Sequence, residues 1–256
     1  MKKILLFLTL SLALLGAENS AKLEKKCERN DAKACLKLAL NLEMNETNEE
    51  RILTLLKKSC ALDNAQGCAY AGVAYSLKST PDHAKASFYM DKACQMNSGD
   101  GCWNLGYLYA YGLGVTKDEK RAFELYERSC ELGYGIGCEA VAIVYKEKKD
   151  EPNYLKYLNL ACEKGHIDSC SNIGYMYERG SGVEFNLLEA MKFYDLACKG
   201  EDQLACYSLG YIHEKGADGI VANQKEALRL YERACALGEK HSCDQAKRLR
   251  GGQKAQ

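Results

Sequence analysis

The chain has little that would break, charge or anchor it. Two prolines among 256 residues leave helices free to run, and 22 glycines are enough to punctuate them with turns. Basic and acidic residues balance at 35 each, so no net field steers the protein toward nucleic acid or anionic lipid. Beyond Leu15 no apolar run approaches the length that spans a bilayer. Cys-x-x-Cys is missing, which argues against a thiol-exchange centre. No serine has a lysine three positions on, and Ser-Asp-Asn and Lys-Thr-Gly are missing too, so the usual acyl-serine machinery is not written here. His83, His166, His213 and His241 stand isolated, without His-Glu-x-x-His or another zinc-hydrolase spacing.

Cysteine is what the chain has in excess. Fourteen cysteines are too many for a reduced cytosolic protein unless metal takes them up, and they suit an oxidising compartment. The N-terminus agrees. Met1-Lys2-Lys3 is basic, Ile4 to Leu15 is apolar, and Gly16-Ala17 supplies small residues before Glu18, the order of a secretory signal peptide over 1–17. No cysteine lies at the cleavage point to accept lipid. The expectation is a soluble protein, secreted or periplasmic.

The cysteines fall at 27/35, 60/68, 94/102, 130/138, 162/170, 198/206 and 235/243, seven pairs of one spacing that recur every 33, 34, 36, 32, 36 and 37 residues. Such self-similarity marks a repeat architecture. Counted from the second cysteine, an aliphatic residue stands three positions on in most units (Leu38, Leu105, Val141, Ile173, Leu209). A small residue stands four on (Ala39, Gly72, Gly106, Ala142, Gly174, Gly210), and tyrosine seven on (Tyr75, Tyr109, Tyr145, Tyr177). Offsets of 0, 3, 4 and 7 make one face of a helix, here called A. Glycine inside a helix costs about 1 kcal/mol against alanine, so its recurrence predicts close approach of a second helix, B, through Ala86, Ala122, Ala190 and Ala227. Helix B carries apolar pairs such as Tyr89/Met90, Phe193/Tyr194 and Leu230/Tyr231, and Gly133, Gly165 and Gly238 read as its stop signals.

Asn104-Leu105-Gly106-Tyr107, Asn172-Ile173-Gly174-Tyr175 and Ser208-Leu209-Gly210-Tyr211, with Gly-x-Gly-Val at 112–115 and 180–183, carry a family resemblance. The chain resembles the Sel1-like relatives of the tetratricopeptide repeat, and with its leader and evenly spaced cysteines it resembles the Helicobacter cysteine-rich protein family. The fold so implied is an all-α solenoid, a right-handed superhelix of helix hairpins. Its parts would be a half-repeat helix over 18–34, six repeats (35–67, 68–101, 102–137, 138–169, 170–205, 206–239) and a half-repeat helix with a basic tail over 240–256. Lys247, Arg248, Arg250 and Lys254 give that tail the character of a solvated cap.

Two disulfide schemes suit this frame. Each cysteine ending a helix B could bond the one eight positions on, or Cys35 could bond Cys60 within one hairpin. The second scheme strands Cys27 and Cys243 at opposite ends; the first leaves nothing over. The expected bridges are therefore Cys27–Cys35, Cys60–Cys68, Cys94–Cys102, Cys130–Cys138, Cys162–Cys170, Cys198–Cys206 and Cys235–Cys243. Each would pin one helix B to the next helix A. Zinc sites gather four ligands at shorter spacings, so neither metal nor cofactor is expected.

Positions two, five and nine after the second cysteine lie opposite the buried stripe. They read Tyr70/Val73/Leu77, Asn104/Tyr107/Tyr111, Ala140/Ile143/Glu147, Asn172/Tyr175/Arg179 and Ser208/Tyr211/Lys215. The resemblance implies that helix A lines a concave groove, with Tyr70, Asn104, Tyr107, Tyr111, Asn172, Tyr175, Arg179 and Tyr211 as candidate ligand contacts. Amides bond a peptide backbone bidentately and tyrosines offer rigid amphipathic area. Tyr109 and Tyr177 are expected instead in packing between repeats, and His213 as a substitute for the buried tyrosine. The leading expectation is a binding scaffold for peptides, proteins or cell-wall fragments, host proteins among the partners. The resemblance also implies another function, penicillin binding with weak β-lactamase activity, for which no catalytic residue is identified. Glu43-Met44-Asn45-Glu46-Thr47 fits a bacterial N-glycan acceptor pattern.

Overall fold

A computed structural model describes residues 20–45 and 48–253. The expected leader over 1–17, the side chains of the 43–47 glycan pattern and Lys254 lie outside what is described. Among the described residues there are fourteen α-helices and no strand. They are α1 (Ser20–Glu28), α2 (Ala32–Asn45), α3 (Glu49–Ala61), α4 (Ala65–Leu77), α5 (His83–Gln95), α6 (Gly99–Tyr111) and α7 (Glu119–Glu131), followed by α8 (Gly135–Glu147), α9 (Glu151–Glu163), α10 (Ile167–Arg179), α11 (Leu187–Lys199), α12 (Gln203–Lys215), α13 (Gln224–Ala236) and α14 (Lys240–Gln253). The chain divides into two compact units, Met1–Leu125 and Tyr126–Gln256. In the first, α2 packs on α3 and α4 on α5, while α2, α4 and α6 also touch in succession. In the second, α8 packs on α9, α10 on α11 and α12 on α13, with α14 against α13 and α10 against α12. Each unit is thus a stack of helix hairpins, an α/α solenoid.

One turn serves every B-to-A junction. The residue three past the first cysteine has positive φ in all seven: Asn30, Asp63, Asn97, Gly133, Gly165, Glu201 and Gly238. Its N–H bonds the carbonyl of that cysteine, and the next N–H reaches back to the residue before the cysteine, as in Asn97 N to Cys94 O and Ser98 N to Ala93 O, both 3.0 Å. That is a Schellman ending. The residue donating the second bond is also the cap of the following helix. Asn64 accepts from Gly67 N, Ser98 from Gly101 N and Asp202 from Ala205 N. Where that residue is Asn, Ser or Asp, two helices are capped within a single turn, whereas Tyr134 and His166 make no side-chain cap bond. A disulfide closes each turn: Cys27–Cys35, Cys60–Cys68, Cys94–Cys102, Cys130–Cys138, Cys162–Cys170, Cys198–Cys206 and Cys235–Cys243. Among the described residues no cysteine is free. Small residues let the helices close around the bridge. A Cβ on Gly67 would lie 2.5 Å from Ser59 Oγ, and one on Gly101 2.6 Å from Ala93 Cβ.

Inside the hairpins the expected approach through a helix-B alanine is seen at Gly72, and a tyrosine ring takes that place at Gly174 and Gly210. Above Gly72 lie Ala86 O and the flexible side chain of Met90. Above Gly174 and Gly210 lie the rings of Tyr194 and Tyr231, at 2.7 and 3.1 Å from an added Cβ. Three of the stripe tyrosines stack on a ring of their own hairpin. Tyr75 stacks on Tyr89, Tyr145 on Tyr157 and Tyr177 on Phe193, with centroids 5.5, 5.4 and 5.9 Å apart. In each case the ring of helix A meets the first residue of the apolar pair on helix B. In the Tyr75 and Tyr177 hairpins the second residue, Met90 or Tyr194, goes over the glycine, whereas the Tyr145 hairpin has Ala142 there.

Candidate functional site

The candidate contacts are presented by successive A helices within each unit. In the first unit α4 and α6 carry them. Tyr70 is half-buried, and Asn104 is half-buried with its Nδ2 donating to Asp100 O at 2.8 Å, so half of its amide is spent on its own helix. Tyr107 and Tyr111 are exposed, with rings 4.6 Å apart, and Leu77 is exposed beside them on α4. Trp103, which the spacing argument passed over, extends the row: its ring lies 6.1 Å from that of Tyr107. Trp103, Tyr107 and Tyr111 follow the four-residue spacing of one helix face, the signal that would have found it.

In the second unit α8, α10 and α12 carry the face. Asn172, Tyr175, Arg179 and Tyr211 are all exposed. Arg179 lies over the Tyr175 ring at 5.5 Å and Lys215 over the Tyr211 ring at 5.7 Å. The same register position on α8 holds Glu147. Asn104 and Asn172 therefore belong to different units, each with its own aromatic neighbours.

Beneath this face lies a polar network that the sequence pattern did not reveal. Tyr194 donates its hydroxyl to Glu178 Oε2 at 2.6 Å and accepts from Ser208. Burial, then the bond to Glu178 and its charge, push the Tyr194 phenol far above its usual range. One repeat later Tyr231 donates to Glu214 Oε2 at 2.9 Å, and burial with that carboxylate raises its phenol as well. Glu214 is buried, and burial alone would raise its carboxyl. Bonds from Arg248, Tyr231 and Lys215 outweigh that and hold it below the ordinary range. Arg248 reaches it at 2.7 Å from α14, and Arg250 reaches Glu232 at 2.6 Å. Part of the basic tail is therefore tied to the last hairpin rather than merely solvated.

The histidines occupy unrelated places. Nδ1 of His83 is buried without a partner, His166 meets Ser169 at 2.9 Å, and His241 meets Gln245 at 3.0 Å. His213 stands where the other repeats have the stripe tyrosine: its carbonyl accepts from Asn223 N at 2.7 Å as that of Tyr177 accepts from Asn186 N at 3.0 Å. It is half-buried, its Nδ1 has no partner, and it lines a cavity of about 510 Å³ with Leu209, Met191 and Glu226. The carboxylates around that cavity are already matched, Glu189 to Lys192, Asp195 to Lys199 and Glu226 to Arg229. Among the described residues no group of three or more His, Cys, Asp or Glu side chains is placed to hold a metal ion.

This disulfide-linked stack of hairpins is the architecture of a known repeat class. The Sel1 repeat family matches residues 65–98, 99–134, 155–166, 167–202 and 203–239, over half of the chain, and the protein belongs to that family. Among solved structures, a Sel1 repeat protein from Oxalobacter formigenes is similar over 81% of this chain and 88% of its own, at 22% identity and a TM-score of 0.66. A protective antigen of uropathogenic Escherichia coli strains with an SLR fold is 19% identical over 90% of this chain and 66% of its own, with a TM-score of 0.57. Helicobacter pylori cysteine rich protein B is 33% identical over 48% of this chain and 97% of its own, with a TM-score of 0.39, so its likeness rests on sequence. A comparison with curated proteins gives no match.

Proposed function

We propose that the protein is an exported binding scaffold whose A-helix faces take extended peptide segments of proteins or of cell-wall fragments. One observation carries the reading: Tyr107, Tyr175 and Tyr211 stay exposed at equivalent positions, with Tyr111 one turn further along α6, while Tyr75, Tyr145 and Tyr177 are stacked inside. Large amphipathic rings held on rigid helices are favourable contact area, because little side-chain freedom is lost on binding. The seven disulfides suit an extracellular or periplasmic site, and among the described residues no helix is long and apolar enough to cross a membrane. Sel1 repeats generally mediate protein–protein interaction, which accords with this role. No constellation of described side chains favours the β-lactam hydrolysis that the family resemblance implies.

The test is titration of oxidised protein with a panel of labelled unstructured peptides and peptidoglycan stem peptides. Tyr107→Ala and Tyr175→Ala should each weaken the bound members about tenfold, the effect of losing one aromatic anchor. Affinities unmoved by both changes, with folding intact, would place binding elsewhere.

A further inference from the structure

We propose that the face formed by α10 and α12 selects acidic peptides, with Arg179 and Lys215 receiving their carboxylates. The inference rests on the peptide-binding reading above and adds the charge of the ligand. It starts from the arginines. Arg51, Arg121, Arg229, Arg248 and Arg250 each hold a carboxylate of the protein itself: Glu24, Glu124, Glu226, Glu214 and Glu232. Arg179 is exposed at the end of α10 and has no such partner among the described residues; what it has is the Tyr175 ring below it. The acid next to it in sequence, Glu178, is engaged with Tyr194.

The arrangement then repeats. Lys215 ends α12 as Arg179 ends α10, lies over Tyr211, and keeps a side chain 56% exposed although one oxygen of Glu214 is 3.2 Å away. That carboxylate is shared with Arg248 and Tyr231, so it neutralises Lys215 only in part. Helices α10 and α12 touch, which puts two cation-over-ring pairs at equal register on neighbouring helices. A ring under a cation holds the charged group at the surface, and a guanidinium offers a planar fork that fits a carboxylate. Asn172, exposed seven residues before Arg179, supplies an amide for the backbone of the same segment.

The experiment compares three fluorescent peptides of one length and backbone, bearing Asp/Glu, Asn/Gln or Lys at alternate positions, against the oxidised full chain. In low salt the acidic peptide should bind about tenfold more tightly than its amide counterpart, and salt should erase most of that margin. Arg179→Gln with Lys215→Gln should abolish the preference while circular dichroism stays unchanged and melting falls only slightly from the lost Lys215–Glu214 contact, and Arg179→Lys should keep part of it. If all three peptides bind alike, or if the preference survives the double change, the charge assignment is wrong and the peptide face stands. If none binds, the peptide reading falls and this inference falls with it.

Discussion

In the first unit Gly72 of α4 lies beneath Met90; in the second, Gly174 and Gly210 lie beneath the rings of Tyr194 and Tyr231. The turns from helix A to helix B differ in length, shorter between α4 and α5 than between α10 and α11 or α12 and α13, but the contact over the glycine contrasts one position of helix B. Methionine is apolar and can swing aside, and it asks nothing further of its surroundings. Tyrosine fills the gap with a rigid ring, but its buried hydroxyl needs a partner. The second unit supplies Glu178 and Glu214 for this purpose, and Glu214 in turn requires Arg248 from α14. A single change of residue over a glycine has thus drawn in a carboxylate, a cation and the last helix.

The largest expected effect concerns what the units share. Replacing Cys60 with Cys68, or Cys198 with Cys206, by alanine pairs should cost about 2.6 kcal/mol each, from the loop-closure entropy of so short a ring. Because one capped turn recurs at both junctions, denaturant unfolding should give the two variants equal losses. Unequal losses would move the difference between units into the junctions and break the comparison.

The next effect is smaller and divides the units. Gly174→Ala should destabilise by about 1–2 kcal/mol, since the Tyr194 ring is tethered through its hydroxyl and the overpacking exceeds the gain in helix propensity. Gly72→Ala should cost less than that, because the Met90 side chain can turn aside, leaving only the tight contacts to Ala86 O at 3.1 Å and Met90 N at 3.3 Å. Adding Tyr194→Met to Gly174→Ala should recover most of the loss. Thermal melts of these three proteins decide whether ring or backbone sets the tolerance.

The smallest effect is in pH. The Glu214 carboxyl sits lower in the folded protein than in the unfolded chain, so its stabilisation is complete above the unfolded value of about 4.3 and is lost as pH falls through the folded one. Urea midpoints followed by hydrogen exchange should show α12–α14 weakening between about pH 5 and pH 3, and Glu214→Gln should flatten that part of the profile. A profile unchanged by the substitution would mean that the network carries no net proton linkage.

The hairpins and their bridges were legible in the residues because seven equal cysteine spacings and the 0, 3, 4, 7 offsets each report local geometry, which sequence distance encodes directly. Gly133, Gly165 and Gly238 announced their left-handed turns, while Asn30, Asp63, Asn97 and Glu201 adopt the same conformation with less obvious chemistry. Of the candidate face, exposure and register could be anticipated from the helix period. Trp103 could have been found at the same spacing. The Asp100 carbonyl that occupies Asn104 could not be anticipated, nor could the matched charges around the His213 cavity, because each depends on which rotamer and which neighbour prevails.

By itself, then, the sequence determined the alternation of helices, the pairing of cysteines and the set of residues turned away from the core, all consequences of periodicity along one chain. Tertiary structure decided what lies over each glycine, which hairpin partner a stripe tyrosine meets, and which cations remain without a carboxylate. Those outcomes join residues 12 to 34 positions apart, as between Tyr145 and Tyr157 or Glu214 and Arg248, where side-chain volume and charge compete for one space. Arg179 is the clearest instance: its type was plain in the chain, and only the packing shows that no carboxylate among the described residues is paired with it.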